Sequence, residues 1–193
     1  MSGAGSINLT NQFLIAMPGM ADETFSGAVV YLCEHTDKGA LGLVINRPIE
    51  LNLRGLFERV ELPFHRDDIA EQPVYYGGPV QTERGFVLHD RLGPEGGHYA
   101  STLTVPDGLE MTASRDVLEA IAQGAGPRRA LVMLGYAGWG AGQLEDELAR
   151  NGWLTVGANA DVIFDTPIEA RYERALGLLG IHSSMLSQDV GHA

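Results

Sequence analysis

The length and composition of the chain describe one globular domain and exclude several protein classes. The 193 residues are 45% hydrophobic and 20% charged, a balance that excludes coiled coils, collagen-like repeats and disordered chains. Thirteen Lys and Arg against 25 Asp and Glu give a net charge of −12, which disfavours direct nucleic-acid binding because phosphate backbones require basic surfaces.

The same sequence predicts a cytoplasmic protein that does not enter the membrane. No stretch approaches 18 consecutive apolar residues, and residues 1–12 lack the basic and apolar regions of a signal peptide. Cys33 is the single cysteine, so the chain forms no internal disulfide, in agreement with a reducing compartment.

Short apolar runs in the first third of the chain predict strands and one helix. Residues 12–19 form an apolar run that ends in Pro-Gly. Residues 28–35 and 41–48, joined by a turn-prone segment, predict a β-hairpin. Residues 51–60 carry apolar side chains at the i, i+3, i+4 and i+7 spacing of one buried helical face, which predicts a short amphipathic helix.

The middle of the chain predicts two more hairpins and a helix. Residues 73–80 and 85–90 are apolar runs joined by Gln-Thr-Glu-Arg, and residues 99–105 and 109–114 are separated by Pro-Asp-Gly. Ser114 is placed to cap a helix that Gly124, Gly126 and Pro127 would end.

The last third predicts a buried strand, a glycine-rich loop, two helices and two short strands. The strand covers 128–135 and leads into a loop over 134–142, which is followed by a helix over 143–150. Residues 153–158 and 160–165 are predicted strands. The sequence Thr-Pro-Ile-Glu at 166–169 predicts a capping box that opens a final helix with an apolar stripe. That stripe consists of Ile168, Tyr172, Leu176 and Leu179. We therefore expect one domain over residues 1–181 and a loosely ordered tail over 182–193.

Because hairpins outnumber strand–helix–strand units, these elements predict an α+β fold with a mixed, largely antiparallel sheet and helices packed on it. Five motifs in order then resemble the bacterial YqgE/AlgH family: FLIAMPGM, VVYLCEH, GALGLVINRP, YYGGPV, and LGYAGWGAGQLEDEL with a following NGWL. The likeness covers roughly residues 8 to 180. It implies a single α+β domain whose sheet curls toward a barrel flanked by helices. It also implies a role as a candidate transcriptional regulator linked to alginate control, while no catalytic mechanism or ligand is established for the family.

The glycine-rich segment raises the possibility of a phosphate site. Gly135, Gly138, Gly140 and Gly142 precede a helix, but Gln143 stands where the dinucleotide fingerprint needs its third glycine, and the P-loop Lys is absent. The segment is therefore predicted to be a structural turn with Trp139 as a packing plug, and anion binding remains the alternative.

Cys33 and His35 form the second candidate site. Two residues apart on a strand, they are expected to point to the same face, where they could form a nucleophilic dyad or supply two zinc ligands. No further Cys or zinc-ligand spacing accompanies them, so no metal or cofactor is predicted, and Cys33 is expected to be a buried apolar side chain.

The third candidate is the turn Asn46-Arg47-Pro48, where the Arg47 guanidinium could bind a carboxylate or phosphate. An internal salt bridge is the structural alternative. We expect this turn to converge with two glycine segments into one anion site, whose candidate residues are Asn46, Arg47, Gly77, Gly78, Gly138, Trp139 and Gly140.

Three functions follow from these candidates. The first is binding of a small anionic ligand or a protein partner, with an indirect regulatory role. The alternative is an enzyme that acts on a small anionic substrate at the Asn46-Arg47 turn, although no established hydrolase motif is present. The third is direct transcriptional regulation, which the net charge disfavours.

Overall fold

A curled sheet forms the framework of the residues that the computed structural model describes, which are 7–18, 23–92 and 98–186. Its strands are β1 (Gln12–Ala16), β2 (Val29–Thr36), β3 (Gly39–Val44), β4 (Pro48–Asn52), β5 (Pro73–Tyr76), β6 (Val80–His89), β7 (Thr102–Thr104), β8 (Glu110–Thr112), β9 (Ala130–Gly140) and β10 (Trp153–Gly157). The main path runs β10-β1-β2-β3-β9-β6-β8-β7, and β5 pairs with both β4 and β9. Only the β5–β9 pair among these strands is parallel.

Five short α-helices flank this sheet within the described ranges. They are α1 (Leu53–Arg59), α2 (Arg115–Ala122), α3 (Gln143–Ala149), α4 (Ala160–Phe164) and α5 (Arg171–Gly177), and 3₁₀ turns cover Glu23–Phe25, Ile168–Ala170 and Ser183–Leu186. One large apolar cluster fills the inside of the curl under α4 and α5, and two others lie under α3 and under α1 with α2. The result is a single α+β domain with a largely antiparallel half-barrel, as the sequence predicted.

The first hairpin, the third hairpin and the first two helices are where the sequence pattern placed them. β2 pairs with β3, β7 pairs with β8, and α1 buries Leu53, Leu56 and Phe57. The Asn52 side chain caps α1 by accepting a hydrogen bond from the backbone N–H of Gly55, which satisfies one of the helix's free donors. α2 begins directly after Ser114, but the predicted side-chain cap does not form, because the Ser114 hydroxyl donates to the Asp116 carboxylate.

The second predicted hairpin is wrong, because β5 and β6 do not pair with each other. Leu134 of β9 pairs with Tyr76 on one side and with Gly85 on the other, so β9 lies between the two strands. The connecting chain passes directly over β9, and a Cβ on Gly78 would lie 2.1 Å from the backbone carbon of Tyr136. Glycine is required there because the two backbones approach so closely.

Two predictions near the C-terminus are also wrong. Residues 160–164, predicted as a strand, form α4, because Asn159 caps the segment by accepting hydrogen bonds from the N–H groups of Asp161 and Val162. The capping box at 166–169 does not form. Thr166 donates its hydroxyl to the carbonyl of Asp161, and a 3₁₀ turn precedes α5.

The predicted glycine-rich loop over 134–142 is largely strand. β9 continues to Gly140, and only Ala141 and Gly142 form the turn into α3, with Gly142 in the left-handed conformation. The predicted boundary at His182 falls next to the 3₁₀ turn Ser183–Leu186, and the rest of the predicted tail lies outside the described residues. Residues 1–6 of the segment 1–12, on which the signal-peptide prediction was made, lie outside them as well.

Candidate functional site

The structure does not bring the three predicted anion-binding segments together. The backbone N–H of Tyr76 donates to the carbonyl of Arg47, so the first two segments adjoin. Gly78 lies against Tyr136 and Ala137 of β9. Gly138 and Gly140, however, pair with Leu41 and Gly39 in the first half of β3, whereas the Asn46-Arg47 turn follows the other end of that strand.

The polar groups of the first two segments are engaged within the protein. The Asn46 side chain accepts from the N–H of Val29 and donates to the carbonyl of Gly27. Arg47 donates through both terminal nitrogens to the carbonyls of Thr24 and Ser26. The space beside Gly77 and Gly78 is filled by the backbone of β9, which leaves no room for a ligand.

Cys33 and His35 face opposite sides of the sheet, contrary to the prediction. The register between β2 and β3 shifts after Leu32, and this β-bulge reverses the alternation of side chains. Cys33 packs with Tyr31 inside the curl and is only 1% exposed, and its burial holds the pKa of the thiol well above its ordinary value.

His35 instead joins the N-terminal segment to α3 on the other side of the sheet. Its Nδ1 accepts the N–H of Leu9 at 3.0 Å, so the neutral ring carries its proton on Nε2 and donates it to Glu145 Oε2 at 2.9 Å. The backbone N–H of Glu145 at the start of α3, and then this bond from His35, lower the pKa of the Glu145 carboxyl.

The predicted packing plug, Trp139, belongs to an aromatic cluster that the sequence did not reveal. Its ring lies 5.9 Å from Phe25 and 6.1 Å from Trp153. Both indole N–H groups donate to the same oxygen of Glu147, at 3.0 Å from Trp139 and 2.9 Å from Trp153. The glycine-rich segment is thus fixed by a carboxylate of the following helix.

A cavity of about 670 Å³ lies on a different part of the molecule. Residues of β5 and β9 line it together with the segment before β5, the C-terminal end of α2, α4 and the start of α5. Four of the chain's 13 basic residues line this space, namely Arg66, Arg128, Arg129 and Arg171, and Glu169 is the only acidic residue among its described lining. We call this space the arginine-lined cavity.

Three of these arginines have carboxylate partners. Arg66 binds Asp68 through two nitrogens, and this hydrogen bond raises the pKa of the guanidinium. Arg129 contacts Asp161 and Asp165 at 3.3 and 3.0 Å and lies over the ring of Phe164. Arg128, whose side chain is 85% exposed, has only a long 4.0 Å contact with Asp90.

Arg171 differs because it is buried without a carboxylate partner. It is 4% exposed, and no acidic oxygen of the described residues lies within salt-bridge distance of it. Its Nε donates to the carbonyl of Thr166 at 3.0 Å, one terminal nitrogen donates to the carbonyl of Ile45 at 2.6 Å, and the guanidinium lies 5.3 Å from the centre of the Tyr75 ring. The other terminal nitrogen has no hydrogen-bond partner among the described residues.

A second donor in the same wall lacks an acceptor. The Nε of Arg129 is buried and makes no hydrogen bond within the described structure, and the nearest Asp90 oxygen lies 3.6 Å away. Buried donors are normally satisfied, and the Asp90 carboxylate is the nearest acidic group to this one.

Sequence reasoning missed this site because its arginines come from three distant segments. One signal was available: Arg171 lies one turn before the buried Ala175 on α5, so a charged residue occupies a buried helical face.

Among the helices of the described residues, none is long and apolar enough to span a membrane. In the same part of the chain, no three His, Cys, Asp or Glu side chains are grouped closely enough to hold a metal ion.

Comparison with known proteins agrees with this fold. The family profile described as AlgH-like, DUF179, matches residues 13–184. A UPF0301 protein of Ralstonia nicotianae is 66% identical over 187 residues, which cover 97% of this chain and 96% of the relative. A UPF0301 protein of Polaromonas is 63% identical over 188 residues, with the same coverage of both chains.

Solved structures give the same result. The solution structure of the AlgH protein from Pseudomonas aeruginosa is similar over 100% of both chains, with 48% identity and a TM-score of 0.78. A crystal structure of a Corynebacterium diphtheriae protein shares the fold at 18% identity and a TM-score of 0.70, over 93% of this chain and 92% of that one. The chain therefore belongs to the AlgH-like family, DUF179.

Proposed function

We propose that this protein acts by binding a small anionic ligand in the arginine-lined cavity. The observation that carries the proposal is Arg171, a guanidinium with 4% exposure that lines the cavity and has no carboxylate partner in the described residues. A site of this kind is typical of anion recognition, because the planar guanidinium presents several donors to a carboxylate or phosphate.

The energetics support an anion at this position. The buried guanidinium of Arg171 has lost its hydration. Two backbone carbonyls and the ring of Tyr75 replace that hydration only in part. A bound anion would complete the compensation and accept from the free terminal nitrogen. The exposed Arg128 at the cavity wall would add attraction at the entrance.

Binding suits the lining better than catalysis does. The described lining contains no histidine and no cysteine, and its single carboxylate, Glu169, is exposed. The enzyme alternative at the Asn46-Arg47 turn gains no support, because the Arg47 donors are already used by the carbonyls of Thr24 and Ser26.

A regulatory role, if the protein has one, runs through the ligand or a protein partner. The net charge of −12 opposes direct contact with DNA. The arginines of the cavity do not change this, since Arg66 and Arg129 are neutralised by neighbouring carboxylates.

Thermal unfolding in the presence of small anions tests the proposal. A ligand that binds only the native state raises its stability as the ligand concentration exceeds Kd. We expect sodium butyrate to raise the Tm of the wild-type chain when it replaces sodium chloride at constant ionic strength. Arg171→Gln should remove the response. Arg128→Gln should weaken it at unchanged stability, because that side chain is exposed.

Arg174→Gln is the matched control, since it removes the same charge from an exposed position on the same helix. Its response should equal that of the wild type. The proposal is wrong if neither butyrate nor inorganic phosphate raises the wild-type Tm above the chloride reference, or if Arg171→Gln responds as the wild type does.

A further inference from the structure

We infer that the ligand is a singly charged organic anion with an apolar body, of the class of short-chain or aromatic carboxylates. The carboxylate binds Arg171, and the apolar body extends along the cavity toward α2. This inference rests on the proposed function and names the ligand class that the cavity selects.

The charge balance of the cavity favours one negative charge. Arg66 is matched by Asp68, and Arg129 by Asp161 and Asp165. Arg128 is exposed to solvent and lies 4.0 Å from Asp90, so Arg171 is the one buried guanidinium of the described lining without a carboxylate partner.

Additional negative charge on the ligand would be repelled by carboxylates in and beside the cavity wall. Glu169 lines the cavity together with Arg171, and the carboxylates of Asp161 and Asp165 contact Arg129 of the same wall. A phosphate monoester carries about −1.5 to −2 charges at neutral pH, so it is opposed there more than a carboxylate is. Polyphosphates are opposed most strongly.

The size of the cavity and the apolar side chains in its wall favour an organic anion over a bare inorganic one. A volume of about 670 Å³ lies within the range of sites for organic ligands and far exceeds the volume of a bare inorganic anion. Between the polar groups of its wall, the cavity is lined by the apolar side chains of Leu53, Ile69, Ile121, Leu131 and Phe164. Such walls stabilise a hydrocarbon chain or ring by removing it from water.

A homologous series measures both parts of this inference. We expect the Kd values of acetate, butyrate and hexanoate, measured by amide chemical-shift titration, to fall by about fourfold for each added methylene. Hexanol should not bind measurably because it lacks the charge. Inorganic phosphate and pyrophosphate should bind more weakly than hexanoate at the same ionic strength.

Two further measurements locate the ligand. Nuclear Overhauser contacts are expected from the terminal methyl of hexanoate to the methyl groups of Ile69 and Ile121. Ile69→Ser should weaken the dependence of Kd on the chain length of the carboxylate, while the Kd of acetate stays unchanged. Circular dichroism should confirm that the variant is folded.

The outcomes separate this inference from the proposed function. Anion binding that requires Arg171 supports the anion site. If phosphate then binds more tightly than hexanoate, or if the Kd does not change with the chain length of the carboxylate, the inferred ligand class is wrong while the anion site remains supported. Failure of every anion to bind contradicts both. Equal binding of hexanol and hexanoate makes the cavity an apolar site and contradicts both as well.

Discussion

Replacing Glu147 by alanine tests whether the glycine-rich segment is structural. Glu147 Oε1 accepts from both tryptophans of the chain, Trp139 and Trp153, and Oε2 accepts from Gln143 at 3.1 Å. Glu147→Ala leaves two buried indole donors without an acceptor. A buried unsatisfied group costs about 1–3 kcal/mol, and water entering beside the half-buried Glu147 position reduces the combined loss to about 2–4 kcal/mol.

Glu147→Gln should cost less, since its amide oxygen can still accept from both indoles while its NH₂ group faces that of Gln143. For a domain of this size each kcal/mol lowers Tm by about 2–4 °C, so Glu147→Ala should unfold roughly 5–15 °C below the wild type. Because the two tryptophans are the only ones present, fluorescence reports on this cluster alone, and the emission of Glu147→Ala should shift to longer wavelength.

Asp146→Ala is the control on the same helix, since Asp146 forms only an exposed pair with Arg150, worth about 0.3–0.5 kcal/mol. A Glu147→Ala variant that unfolds within about 0.5 kcal/mol of that control, the usual range of surface substitutions, would contradict this expectation. The carboxylate would then not hold the segment in place.

Three further predictions follow from buried and charged groups. Cys33 should resist thiol reagents in the native protein, and Cys33→Ser should cost more stability than Cys33→Ala. Burial raises the pKa of the Cys33 thiol, so above about pH 9 the thiol ionises in the unfolded chain but not in the folded one. The free energy of unfolding should therefore fall above that pH, and Cys33→Ala should lack this part of the decline in urea titrations. Gly78→Ala should lower stability by more than about 3 kcal/mol, above the usual range for one substitution, whereas Gly157→Ala, whose Cβ meets nothing within 4 Å, should remain close to wild type in the same titration. Anisotropy titration should detect no binding to duplex DNA at micromolar protein, and strongly salt-dependent binding would overturn this.

Local patterns predicted the elements whose stability is local. The hairpin of β2 and β3 and the helix α1 follow from alternation, turn residues and helical spacing within short windows. The prediction failed at 160–164, where Val162, Ile163 and Phe164 favour strands but the cap at Asn159 and burial of the apolar side chains produce a helix.

Long-range pairing explains the other errors. The insertion of β9 between β5 and β6 depends on a strand that begins 50 residues after Val80 along the chain. The bulge after Leu32 separates Cys33 from His35, although their spacing indicated one face. Arg66, Arg128 and Arg171 meet only after folding, so no local window could have predicted the cavity.

The proposed function depends on an anion bound by Arg171. The Nε–H of Arg171 donates to Thr166 within the buried cavity wall, which should protect it from solvent exchange, so its side-chain nitrogen resonance can be followed directly during a titration with hexanoate. We predict a saturable shift of this resonance with the same Kd as the amide shifts around the cavity, while the exposed Arg54 does not respond. An unchanged Arg171 resonance at saturating hexanoate would contradict the account.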